Sequence, residues 1–228
     1  MSGQTKPSLL LLGIIAAITA VVVLVVGFVV TALGAFEMPL SIALNNLHQG
    51  VLGALGDALY RWVGPVPAII GTVVVTVIVL LVRRDLRVTS TFAITIAITW
   101  LSVAVVKLAV DRPRPDVSML PNVYQPIQVD ASYPSGHAAF IAALVFALVA
   151  LFETRRARAI AGTIGAIVVA FAGFLLAVDG VHYVTDVLAS IVWVAGVAPF
   201  VRAAWLQLVV ARVPLLQRQL SFGRSSNS

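Results

Sequence analysis

The sequence has no cysteine, which excludes a disulfide framework, a thiolate nucleophile and a thiolate metal site, and leaves the redox compartment open. Charge is scarce too: 11% of the 228 residues are charged and 61% are hydrophobic, far from the balance of a soluble globular domain. The net charge of +6 does not point to nucleic acid, because the cations sit in short clusters between apolar runs and are not interleaved with exposed aromatics. What remains is a chain whose natural solvent is a bilayer. Its apolar runs reach or approach the roughly 18 to 20 residues that cross a hydrocarbon core, and backbone in lipid must satisfy its polar groups internally. The sequence therefore predicts an all-α integral membrane protein, a single domain over 1–228, with about 1–8 and 221–228 as flexible termini.

The runs predict six spans. The first lies within Leu9 to Phe36, a run too long for a signal-peptide core. The others cover about Val66 to Val82, Val88 to Val106, Pro134 to just before Glu153, Ile160 to Val178 and His182 to Val201. Between spans one and two, Leu40, Leu44, Leu47, Val51 and Leu55 recur at helical spacing opposite Asn45, Asn46, His48, Gln49 and Arg61, which predicts an interfacial amphipathic helix. Gly162 with Ala166, and Gly173 with Ala177, are small-xxx-small helix contacts. With six spans, Lys6, the Arg83-Arg84 and Arg155-Arg156 clusters and the basic tail share one side. The other side holds only Arg61, Lys107, Arg112 and Arg114. The positive-inside rule makes the first side cytoplasmic, with both termini, and turns the long loop from Asp111 to Tyr133 outward.

Three polar pieces gather at that outward edge: Lys107 to Pro115, Tyr133-Pro134-Ser135-Gly136-His137, and His182-Tyr183-Val184-Thr185-Asp186. His182 and Asp186, four apart at a helix start, share a face, so the carboxylate can accept from Nδ1 and leave Nε2 as base or nucleophile. His137 follows Pro134-Ser135-Gly136 at another helix start, where free N–H groups favour an anion. Lys107 and Arg114 add cationic donors, and arginine grips a phosphate with two parallel hydrogen bonds. Singly, these are also what juxtamembrane anchors, a structural His–Asp pair and a plain helix start look like. Their convergence on one membrane face, where polar groups are costly, argues for a phosphate pocket with two histidines. A metal on the histidines and aspartate is the weaker reading, because the neighbouring cations oppose it. Ser135 as nucleophile lacks the Gly-x-Ser-x-Gly elbow. No metal and no cofactor are expected.

These pieces resemble the motifs of the type 2 phosphatidic acid phosphatase family. Lys107 with Arg114-Pro115 is similar to its first motif, Lys-x6-Arg-Pro; Pro134-Ser135-Gly136-His137 matches the second; His182-x3-Asp186 matches the end of the third. The resemblance implies a metal-independent phosphatase acting on a lipid such as a polyprenyl phosphate or diphosphate, or phosphatidic acid. In it His182 attacks phosphorus to give a phosphohistidine, Asp186 orients His182, and His137 protonates the leaving oxygen. Lys107, Arg114, Ser135 and Gly136 would hold the phosphate. The third motif departs from the family, which has Ser-Arg-x5-His where this chain has Leu175 and Leu176, and Asp179 brings an anion into the intervening five. The lost arginine keeps open a non-catalytic relative that binds or transports a lipid phosphate, and the same residues permit phosphotransfer to another lipid. Arg112, two residues before Arg114, is a candidate for the missing arginine's role. The expected partners are the lipid substrate and the bilayer; oligomeric state is not legible.

Overall fold

In the computed structural model the structure describes residues 8–219. The flexible termini expected at both ends lie otherwise outside the described residues, and Ser8 caps the first helix, its hydroxyl accepting from the Leu11 N–H at 3.3 Å. Eight α-helices follow among the described residues: α1 (Leu9–Ala32), α2 (Met38–Asn45), α3 (Gly50–Trp62), α4 (Pro65–Arg83), α5 (Leu86–Val110), α6 (Gly136–Val149), α7 (Arg155–Val178) and α8 (Val184–Ala204), the last running on into a π turn, Trp205–Val210. Five of them, α1, α4, α5, α7 and α8 with its π turn, are long and apolar enough to cross a bilayer. Asp85 and Thr154 start α5 and α7 by accepting the N–H of Val88 and Ala157, which explains why the basic clusters mark helix boundaries.

The expected fourth span is α6, with 14 residues. At about 1.5 Å per residue it covers about 21 Å, short of a hydrocarbon core of about 30 Å. It is also an inner helix. It packs on α5, α7 and α8, and Ala138 to Ala143 are buried continuously, so its apolarity all round serves protein neighbours more than lipid. The outer helices do the reverse: Leu11, Ile14 and Ile18 of α1 and Ile69, Val73 and Val77 of α4 are exposed, on the faces a bilayer would cover. Close helix contacts use small residues. A Cβ on Gly196 would meet Thr19 of α1 at 2.1 Å, and one on Gly173 would meet Val187 at 2.6 Å, while one on Gly162 would meet nothing within 4 Å.

The stretch read as one interfacial amphipathic helix folds as two, α2 and α3, both packed on α7. Gly50, with φ +52°, makes the break, in a conformation that costs glycine little. Part of the polar face turns inward, Asn45 and His48, while Asn46, Gln49 and Arg61 stay exposed. Asn45 is fully buried and donates to the carbonyls of Val178 at 2.9 Å and Asn122 at 3.0 Å, tying α2 to the end of α7 and to the long loop. An amide that satisfies two buried carbonyls is worth more there than in water.

Candidate active site

The starts of α6 and α8 are stitched together. The Ser135 N–H donates to the Asp186 carbonyl at 3.2 Å, and the Ser190 hydroxyl donates to the Ser135 carbonyl at 2.8 Å. Ser135 is itself fully buried and caps α6, its hydroxyl accepting from the Ala138 N–H at 3.3 Å. The Gly136 carbonyl accepts from Trp100 Nε1 at 3.1 Å. Together these bonds place His137, second residue of α6, near His182, two residues ahead of α8, with ring centroids 6.3 Å apart. The other side of His137 stacks on Tyr60 of α3, centroids 4.0 Å apart. His137 Nε2 and both His182 nitrogens are buried without a hydrogen-bond partner among the described residues. Three orphaned imidazole nitrogens in one place call for an explanation, and a polar ligand supplies one.

Lys107 and Arg114 flank this cluster, joined by Asp130. Lys107 Nζ donates to Asp130 Oδ2 at 2.6 Å, and Arg114 donates to Asp130 Oδ1 at 2.8 Å and to the carbonyls of Asp130 and Val181 at 2.9 and 2.6 Å. The two backbone carbonyls aim the guanidinium, and the Asp130 carboxylate supplies the counter-charge. Burial would raise the Asp130 carboxyl, but the hydrogen bonds and charges of Lys107 and Arg114 outweigh it and hold it at about 2. A cavity of about 470 Å³ opens here, lined by Lys107, Arg114, His137, Tyr60, Arg61 and Trp100 among others. Burial pushes the His182 imidazole down to about 4, against the pull of Asp186 and with Arg114 and Lys107 adding to the shift. At neutral pH it therefore keeps a free lone pair.

Several expected roles meet a different geometry. His182 precedes α8, because Asp186 uses Oδ2 to accept the Tyr183 N–H at 2.8 Å and so closes the first turn behind it. His182 Nδ1 is 3.6 Å from the same oxygen, beyond a hydrogen bond. Asp186 Oδ1 accepts from Arg112 at 2.8 Å. Arg112, a candidate for the missing arginine's role, is 1% exposed and is engaged within the protein: it also donates to Glu37 Oε2 at 2.8 Å and to the Thr185 hydroxyl at 2.7 Å, and its guanidinium lies 4.0 Å over the Tyr183 ring. Its fork is filled by buried and half-buried protein groups. Leu176, at the position of the family arginine, is fully buried against Tyr60, Ala138, Val181 and Val187. Asp179 faces His48, 3.5 Å away. Sequence reasoning missed Tyr60, Trp100 and the part of Asp130. Only Asp130 left a signal, as an acid in the loop between two cationic motifs.

The fold and this cluster define a multi-helix membrane protein built around paired histidines beside two cations. The model described as PAP2 superfamily matches residues 86–209, α5 through the π turn after α8, and the chain belongs to that superfamily. The crystal structure of the first transmembrane PAP2 type phosphatidylglycerolphosphate phosphatase from Bacillus subtilis has the same fold: the TM-score is 0.62 at 19% identity, with 81% of this chain and 94% of that one covered. No curated protein matches the chain.

Proposed function

We propose that the chain is a lipid-phosphate phosphatase that works through a phosphohistidine and without a metal at the reacting phosphate. The observation that carries this reading is the set of three orphaned imidazole nitrogens on His137 and His182 beside Lys107 and Arg114. A phosphate entering the cavity takes the place of the Asp130 carboxylate on Lys107 and Arg114, with the α6 start at Ser135 and Gly136 behind it. His182 Nε2 attacks phosphorus in line, the bond from phosphorus to the lipid oxygen breaks, and His137 gives that oxygen its proton. His137 takes up the proton it gives when the anionic phosphate comes to lie beside it; water, deprotonated by the now neutral His137, then attacks the phosphohistidine, releasing phosphate and restoring His182 and the charged His137. Asp186 stabilises the charged ring by closing the 3.6 Å separation, as catalytic hydrogen bonds that are long in the free enzyme do. Lys107 and Arg114 oppose a divalent cation at this place. Arg61 lines the same cavity, so a third cation faces it despite Leu176.

The substrate is a phosphomonoester or diphosphate of a lipid, polyprenyl or phosphatidic acid in type, its head in the cavity and its tail in the bilayer. With α6 carrying the chain inside the bundle from the cavity towards the basic turn before α7, the cation asymmetry supports a topology with both termini in the cytoplasm and the cavity on the other side. Phosphate release from a panel of lipid phosphates tests the reading. Turnover is expected in chelator, inhibited by vanadate, which mimics five-coordinate phosphorus, and abolished by His182→Ala. Leu176 in place of the family arginine favours a second reading, a lipid-phosphate binding or transport relative. Binding without turnover on every lipid phosphate would establish it.

A further inference from the structure

Away from the orphaned imidazoles, the turn between α2 and α3 brings His48 against Asp57 of α3 and Asp179 at the end of α7. His48 Nδ1 lies 3.0 Å from the Asn122 carbonyl oxygen. A carbonyl only accepts, so Nδ1 carries the ring proton. In a neutral ring the Nε2 lone pair then points at two carboxylates, 3.0 Å from Asp57 Oδ1 and 3.5 Å from Asp179 Oδ1. Asp179 is 0% exposed, and neither of its oxygens has a hydrogen-bond partner among the described residues. A buried carboxylate left so is among the costliest arrangements a fold can hold. The backbone is nevertheless shaped around it: a Cβ on Gly56 would fall 1.9 Å from Asp179 Oδ1, and one on Gly53 would fall 3.0 Å from the His48 carbonyl carbon. A proton on Nε2 bonds well to one carboxylate only. A cation with several coordination positions binds all three groups at once.

We propose that His48, Asp57 and Asp179 form a binding site for a divalent transition-metal ion of the zinc class, which clips α3 to the end of α7. One ligand atom from each residue lies within 4.8 Å of the others, and the 3.0 Å between His48 Nε2 and Asp57 Oδ1 is close to the edge of about 3.3 Å of a tetrahedron with bonds of about 2.0 Å. One imidazole and two carboxylates are a donor set that leaves a fourth position for water, and the side chain of Asp57, 36% exposed, opens that position to solvent. The carbonyl behind Nδ1 fixes the tautomer and ring orientation, as the partners of metal-bound histidines do. The ion takes no part in phosphoryl transfer. It holds α3, whose Tyr60 stacks on His137.

The full chain, purified in detergent without chelator, is analysed for bound metal by mass spectrometry, then stripped with EDTA and melted with and without Zn²⁺. The expected result is stoichiometric metal, a Tm that rises with free Zn²⁺, and the d–d absorption of a low-coordinate ion on replacement by Co²⁺. Asp179→Asn and His48→Gln should each lower Zn²⁺ affinity at least about 100-fold, more than loss of an outer partner does. Metal well below stoichiometry with a Tm indifferent to Zn²⁺ and EDTA overturns the site and leaves His48 as an imidazolium paired with Asp57. Zn²⁺ binding that Asp179→Asn leaves unchanged overturns it as well. Should the variants fail to fold, the metal content and Zn²⁺ response of the unaltered chain decide alone.

Discussion

Arg112→Ala separates a buried positioning role from a phosphate-binding one. Arg112 is 1% exposed, and its two terminal nitrogens donate to Asp186, Glu37 and Thr185 at 2.7 to 2.8 Å. Its removal leaves two carboxylates in the interior, Asp186 at 0% and Glu37 at 7% exposure. Breaking one buried pair costs about 3–5 kcal/mol. Here each carboxylate keeps a second donor, the Tyr183 N–H for Asp186 and the Thr185 hydroxyl for Glu37, so a total of about 4 kcal/mol is expected in place of twice that range. At 2–4 °C per kcal/mol for a chain of this size, Tm should fall by roughly 8–16 °C. In lipid-phosphate assays well below that Tm, kcat should fall with KM nearly unchanged, because Arg112 sets the place of Asp186 behind His182 and lines no part of the cavity. Combining Arg112→Met with Glu37→Gln should recover part of the Tm but not kcat, since Asp186 stays unanchored. Leu176→Arg should not rescue Arg112→Ala, as it puts a charge among Ala138, Val181 and Val187. An unchanged Tm with a KM raised tenfold or more, rescued by Leu176→Arg, would refute this reasoning and return Arg112 to the phosphate.

Three further outcomes follow from the same geometry. Because the His182 imidazole is held at about 4, the acid limb of kcat/KM should lie near pH 4, not near the ordinary 6.5 or so; the depressed value also means that protonation favours unfolding, so stability should be lost as pH falls from 6.5 towards 4, and an acid limb at or above 6.5 would contradict the buried neutral ring. Asp130→Asn removes the carboxylate that a phosphate must displace, and vanadate should bind about fivefold more tightly, matching about 1 kcal/mol for a partly exposed ion pair; weaker binding would show that Asp130 instead holds Arg114 in place. Single cysteines test the orientation, since the chain has none: an impermeant thiol reagent on intact cells should label Ser118→Cys and spare Ala211→Cys, both exposed positions, and the reverse pattern would invert the topology.

Residence in the bilayer, five of the helices to within a few residues, the three motifs and the superfamily were all legible in the sequence by itself. Each rests on a local pattern, a hydropathy sum, a cap or a short spacing, and such patterns act within one element wherever the others lie. The motif histidines could be paired in advance because the order of the apolar runs turns both helix starts to the same membrane face. Partner choice was not legible. Arg112 reads as a neighbour of Arg114, yet it binds Glu37, 75 residues away, and Asp186, 74 residues away. His48 reads as a polar residue on a surface helix, yet the break at Gly50 turns it towards Asp57 and Asp179. The four-residue spacing of His182 and Asp186 predicts a shared helical face, and the fold spends that carboxylate on the Tyr183 N–H and on Arg112. An apolar periodicity specifies which face of a helix is covered and not by what. A charge in a low-dielectric interior is satisfied by whichever opposite charge or donor the packing of separate helices brings within about 3 Å, and that distance exists only once the helices have assembled.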